Sequence, residues 1–119
     1  PMNATISAWF YQYLAGIRVA APGFSEFKVR PYPPKKLGWV HAKLMTIKGL
    51  VEIHWEQSNG RFSIDVRVPF NSRCKLELPE RYGNNVIVDG APDEGKKLSD
   101  GRAQVTLTPG RHLISAQLN

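Results

Sequence analysis

From Phe24 to the C-terminus, apolar residues recur at every second position and turn-forming residues interrupt the alternation at short intervals. A period of two sends successive side chains to opposite faces of an extended chain, so each run is a strand with one face buried. "FSEFKVR" is a first strand, ended by Pro31, Pro33 and Pro34, which cannot donate to a ladder. In "LGWVHAKLMT", Val40, Ala42 and Leu44 oppose Trp39, His41, Lys43 and Met45. A turn at Ile47-Lys48-Gly49 leads into "LVEIHWEQ", with Val51, Ile53 and Trp55 inward and Glu52, His54 and Glu56 outward. Asn59-Gly60 is the strongest hairpin signal, and "RFSIDVRVP" continues the meander with Phe62, Ile64, Val66 and Val68 inward. "RCKLELP" and "NNVIVDG" are further strands and "APDEGKKLSDGR" is a polar loop. "AQVTLTP" and "HLISAQL" are expected to pair across Thr108-Pro109-Gly110. About eight short strands with regular turns predict an all-β fold, an antiparallel β-sandwich.

Upstream of Phe24 the period is different. Ile6, Trp9, Phe10, Tyr13, Leu14 and Ile17 recur at steps of three and four, which predicts one short N-terminal α-helix. Asn3 or Thr5 suits its cap, and Gly16 suits a left-handed stop. Its apolar stripe is too wide for a lone short helix and must pack on something. The expected division is residues 1–18 as the last helix of a preceding domain and residues 19–119 as the sandwich, with Trp9, Phe10, Tyr13, Ile17 and Phe24 at the interface.

At 119 residues, 42% of them hydrophobic, the chain can bury one ordinary core. The net charge of +6 raises the question of nucleic acid, but the sixteen Lys and Arg residues are scattered rather than clustered, which speaks against that partner. A single cysteine, Cys74, excludes an intrachain disulfide; lying with Leu76 and Leu78, it reads as a small buried hydrophobe. No apolar run of about eighteen residues is present, so no membrane span is expected.

The polar faces hold the candidate chemistry. Glu52 and Glu56 lie four residues apart on one strand, about 13 Å, farther than paired carboxylates of a glycosidase stand. His41, His54 and His112 fall in separate strands, and nothing in their spacing requires a metal. There is no G-x-S-x-G and no phosphate-binding glycine loop. No cofactor and no catalytic residue is therefore assigned. Trp39, His41 and Lys43 share a polar face and are the candidate carbohydrate contacts; packing of Trp39 under the helix or against a neighbouring domain is the commoner use of such a residue and the favoured reading.

The residues Trp9, Tyr11, Ala15, Gly16 and Ile17, then Pro22-Gly23-Phe24, then Arg30-Pro31 form a run that resembles bacterial α-L-rhamnosidases of glycoside hydrolase family 78. There a W-x-Y-x-x-x-A-G-I segment closes the catalytic domain and a Pro-Gly-Phe and an Arg-Pro follow. Leu37, Trp39, Ala42, Gly49 and Trp55 extend the likeness over the first half of the chain, whereas Ala4 to Ala8 depart from it. The resemblance implies a bacterial hydrolase with an (α/α)6 catalytic barrel and a C-terminal β-sandwich that buttresses it. It implies an upstream catalytic domain as partner, rhamnose-containing glycans as substrate, and catalytic carboxylates lying before this segment. It also places a periplasmic or extracellular protein ahead of a cytoplasmic one.

Overall fold

The computed structural model describes residues 15–35 and 38–119. Trp9, Phe10 and Tyr13, with most of the expected helix, lie outside the described residues. Eleven strands follow in chain order: β1 (Ile17–Val19), β2 (Glu26–Val29), β3 (Trp39–Thr46), β4 (Gly49–Ser58), β5 (Arg61–Val68), β6 (Arg73–Glu77), β7 (Asn84–Val88), β8 (Ala91–Pro92), β9 (Lys96–Lys97), β10 (Ala103–Leu107) and β11 (Gly110–Gln117). They form a five-stranded sheet in the order β1-β2-β6-β10-β9 and a six-stranded sheet in the order β3-β4-β5-β11-β7-β8. One apolar cluster, drawn from both sheets, fills the space between them.

The alternation in the sequence becomes the inner and outer faces. Val51, Ile53 and Trp55 of β4 and Phe62, Ile64 and Val66 of β5 are all fully buried. The Trp55 ring lies 5.8 Å from that of Phe62, which stacks on Tyr82 at 5.3 Å. In β3 only Ala42 is buried, and Val40 and Leu44 are half-buried, because β3 is an edge strand.

Turn chemistry decides the connections. Asn59 and Gly60 both take positive φ (51° and 76°), the backbone of the tight turn that matches the twist of paired strands, and β4 and β5 pair across it. Asp89-Gly90 does the same (50° and 85°) and joins β7 to β8 within the stretch expected to be a loop. That hairpin and the two-residue β9 account in part for eleven strands rather than about eight.

Three other expectations are corrected. First, β10 and β11 do not pair: β10 lies on β6 and β11 on β5, so the chain crosses between sheets at Thr108-Pro109. The fixed φ of proline does not supply the positive φ that a two-residue hairpin needs. Second, β2 and β6 are parallel, with Phe27 opposite Cys74, the return path being the β3–β5 meander in the other sheet. An alternating pattern is the same for either direction. Third, Ile17 is a strand residue, paired with Val29 and 3% exposed, and not a residue of the expected helix.

Gly16 has φ +79°, as expected for a left-handed stop, and a close approach adds a second reason for glycine. Its carbonyl accepts from the Arg30 amide at 2.8 Å, and a Cβ at Gly16 would stand 2.1 Å from the Arg30 carbonyl oxygen.

The inner and outer positions separate two tryptophans. Trp55→Ala is expected to cost about 4 kcal/mol through the cavity it leaves. Trp39→Ala, on the solvated face, should change stability by less than about 0.5 kcal/mol. Urea unfolding of both variants checks the difference.

Candidate functional site

The outer face of the six-stranded sheet is a grid set by strand register. One row runs Trp39, Glu56, Ser63, Ser115; the next His41, His54, Asp65, Leu113; the third Lys43, Glu52, Arg67, Arg111. The structure thus brings Trp39, His41 and Lys43 onto one face, as alternation predicts. Trp39 is 62% exposed and presents an edge to the His54 ring at 6.2 Å, while His54 stacks on His41 at 5.2 Å. A shallow hollow of about 190 Å³ lies among His41, Glu52, His54, Asp65, Arg67 and Arg111.

The carboxylates in this hollow are already engaged. His41 Nε2 is hydrogen-bonded to Glu52 Oε2 at 2.6 Å, with Lys43 Nζ 3.9 Å from the same oxygen. That hydrogen bond holds the Glu52 carboxyl below its usual range. Arg111 grips Asp65 as a fork, Nη2 donating at 2.7 Å and Nε at 3.0 Å. A glycosidase needs one carboxyl kept protonated as an acid, and Glu52 is shifted the opposite way.

His112 does not join the other two histidines. It is opposite Val66 on the inner parity, and its ring bridges Asp89 Oδ2 (2.6 Å) and the Thr108 carbonyl (2.7 Å). Among the described residues no group of three or more His, Cys, Asp or Glu side chains could hold a metal ion. Cys74 is fully buried beside Leu76, and burial pushes its thiol pKa well up. Among the described residues no helix is long and apolar enough to cross a membrane.

A second cluster, at the corner where the chain arrives in β1, was not legible as a site. Glu77 points to the outer side of β6 yet is only 2% exposed. Arg30 donates to it and also to Asp100, and Gln104 Nε2 donates at 2.8 Å. Arg30 Nε donates to the Tyr32 hydroxyl at 2.8 Å, and the Arg102 guanidinium lies over the Tyr32 ring at 4.5 Å. Arg102 closes the cluster by donating to the carbonyls of Pro31 (2.9 Å) and Glu77 (3.1 Å). Burial alone would raise the Glu77 pKa, but the bonds from Arg30 and Gln104 prevail and hold it below 4.5. Arg30-Pro31 was the only part of this cluster that the sequence had singled out.

Phe24, the remaining interface candidate, is half-buried with its ring 5.9 Å from Phe27. It closes a 3-10 turn (Pro22–Phe24) in which both Gly23 and Phe24 have positive φ, and its carbonyl accepts from the Ser72 hydroxyl.

Residues 16–92 match the family model described as bacterial alpha-L-rhamnosidase C-terminal domain. The chain belongs to that family. An alpha-L-rhamnosidase of an Alteromonas species is 32% identical over 78 residues, 66% of this chain and 8% of that protein. One from Formosa agariphila is 27% identical over 92 residues, 76% of this chain and 10% of that protein. The structure of alpha-L-rhamnosidase from Dictyoglumus thermophilum has a TM-score of 0.82 at 27% identity, covering 98% of this chain and 14% of that one. The Streptomyces avermitilis alpha-L-rhamnosidase structure shares the fold, with a TM-score of 0.78 at 24% identity, over 92% of this chain and 10% of that one. The rhamnosidase C-terminal domain described here therefore spans a small fraction of those proteins' length.

Because the folded pKa of Glu77 is depressed, its contribution to stability is present above its ordinary value of 4.5 and is lost as pH falls through the folded value. Glu77→Gln leaves Arg30 without its buried partner and is expected to cost about 3 kcal/mol at neutral pH. The gap from the unsubstituted protein should narrow progressively in thermal melts taken as the pH is lowered below the ordinary glutamate range.

Proposed function

We propose that this chain is the non-catalytic C-terminal β-sandwich of an α-L-rhamnosidase-like glycoside hydrolase, and that it buttresses a catalytic (α/α)6 barrel preceding it. The whole protein would release terminal α-L-rhamnose from glycans or glycosides. The observation that carries the reading is the family match from Gly16 to Pro92 in a chain spanning 8% and 10% of two full-length relatives. The engagement of Glu52 by His41 and of Asp65 by Arg111 on the open sheet face supports a role without catalysis. In this reading residues before β1 belong to the last helix of the barrel, with Trp9, Phe10 and Tyr13 at its interface with the sandwich. Ile17, already in the sandwich core, anchors the junction from the other side.

Phe24 directs attention to an apolar end of the sandwich that suits contact with that barrel. Its turn exposes Pro22 and Gly23, and Ile47 Cδ1 lies against Gly23. Ile47 is 84% exposed, as is Phe70 at 79%, in the loop that Ser72 ties to the Phe24 carbonyl. Large apolar side chains grouped at one end mark an interaction surface.

The 119-residue chain is expected to give no hydrolysis of an aryl α-L-rhamnoside. Deleting the segment from Gly16 onward from the full-length protein should lower its thermal midpoint and soluble yield. Turnover by the isolated chain, or an unchanged midpoint after deletion, would sink the reading.

The 62% exposure of Trp39 supports a second reading, a carbohydrate contact through Trp39, His41 and Lys43. Titration with L-rhamnose should then shift the Trp39 indole signal in NMR spectra saturably, and Trp39→Ala should abolish the effect. A flat titration removes this second reading and leaves the first untouched.

A further inference from the structure

The outer face of the five-stranded sheet holds an arrangement of charge that its own carboxylates do not neutralise. Register places Arg18 of β1 directly opposite Lys28 of β2, and Lys28 directly opposite Lys75 of β6. Adjacent strands are about 5 Å apart, so three cations stand in line at that spacing. Like charges facing each other across strands oppose pairing. The ion pairs nearby are long: Lys28 Nζ is 3.8 Å from Glu77, and Lys75 Nζ is 3.8 Å from Glu26. Glu77 is committed chiefly to Arg30 and Gln104. Among the described residues Arg18 meets no carboxylate; its guanidinium lies 5.8 Å from the Tyr32 ring centre.

These residues line an open groove of about 640 Å³. Its walls carry four cations, Arg18, Lys28, Arg30 and Lys75, against two carboxylates, Glu26 and Glu77; with Arg30 also paired to Asp100 behind the wall, a surplus of one remains. Its less polar lining is Val19, Ala20 and the Tyr32 ring. The cores of protein–protein contacts are depleted of charge, so this lining fits a charged soluble ligand better than a protein face. The apolar end around Ile47 and Phe70 is the one with protein-like character. Lysine and arginine donors at regular short intervals suit carboxylates carried along a chain of sugars, each able to accept a charge-assisted hydrogen bond.

We propose that this groove binds an anionic saccharide, with Arg18, Lys28 and Lys75 as the row that receives its carboxylates. Tyr32 is wedged among Arg18, Arg30 and Arg102 and holds the rim of the groove rather than offering a free stacking face. The choice of a sugar rests on the reading of the chain as a glycosidase domain. The charge row does not.

The test is isothermal titration of the 119-residue chain with tetragalacturonate and with neutral maltotetraose, in low and moderate salt. Saturable binding of tetragalacturonate alone is expected, weakening with salt. The Lys28→Met/Lys75→Met variant should bind at least ~tenfold more weakly, a loss of about 1.4 kcal/mol. Lys48→Met with Lys96→Met, which removes the same charge elsewhere, should change binding by less than about twofold. Thermal melts establish that each variant is folded, and relief of the like-charge row should leave the first variant's midpoint unchanged or raised. No saturable binding by the folded parent chain overturns the proposal, as does equal weakening by both variants, which would mean attraction by net charge alone. Protection of Lys28 and Lys75 from acetylation in the sugar-free full-length enzyme, but not in the isolated chain, would assign the groove to contact between domains and also overturn it. None of these outcomes depends on turnover of an aryl rhamnoside, so the two readings fail separately.

Discussion

The buried contact between Glu77 and Arg30 is the interaction on which the rest of this domain depends. The Arg30 amide holds Gly16, where the chain arrives, and its side chain reaches β6 through Glu77 and the segment before β10 through Asp100. Arg102 then returns from that segment to the Pro31 and Glu77 carbonyls. Four parts of the chain that are far apart in sequence meet around one carboxylate. A charge taken out of water this far is tolerated because arginine and amide donors occupy its oxygens. The open edge formed by the three-residue β1 is thereby tied to the interior strands of its sheet.

Most of the strands could be read directly, since alternation identifies a half-buried strand without knowledge of its neighbours. Asn59-Gly60 also identified a partner, because a tight turn leaves the next strand no other place to go. The failures lie where partnership is decided at a distance. Parallel pairing of β2 with β6 leaves no local trace, and Thr108-Pro109 between two strands looked like a hairpin although proline does not fit one. Asp89-Gly90 carries the same chemistry as Asn59-Gly60, but the two-residue β8 after it is too short to show an alternation. Ile17 continued a helical spacing by coincidence, and Gly16, with its positive φ just before it, is where the period changes.

The functional surfaces followed the same division. Parity alone separated Trp39, facing solvent, from Trp55, in the core. Which charges meet was hidden, because that depends on register: His41 with Glu52, Asp65 with Arg111, and the line Arg18, Lys28, Lys75. Glu77 was the least legible of all, since an outward position on a strand normally means contact with water. It is covered by side chains from two other strands and a loop.

The crossing at Thr108-Pro109 has a consequence for how the domain is made. β10 lies between β6 and β9, and β11 lies between β5 and β7, so the two final strands are interior members of different sheets. Until residues 103–117 are available, β6 is paired only on its β2 side in one layer, and β5 and β7 have no bridge in the other. Synthesis from the N-terminus therefore yields two open half-layers with exposed ladder edges, and the last stretch of the chain closes both together. Such closure depends on contacts between distant residues, which form slowly. During that interval the waiting edges of β5 and β6 are the places where a growing chain is most exposed to pairing with another copy of itself.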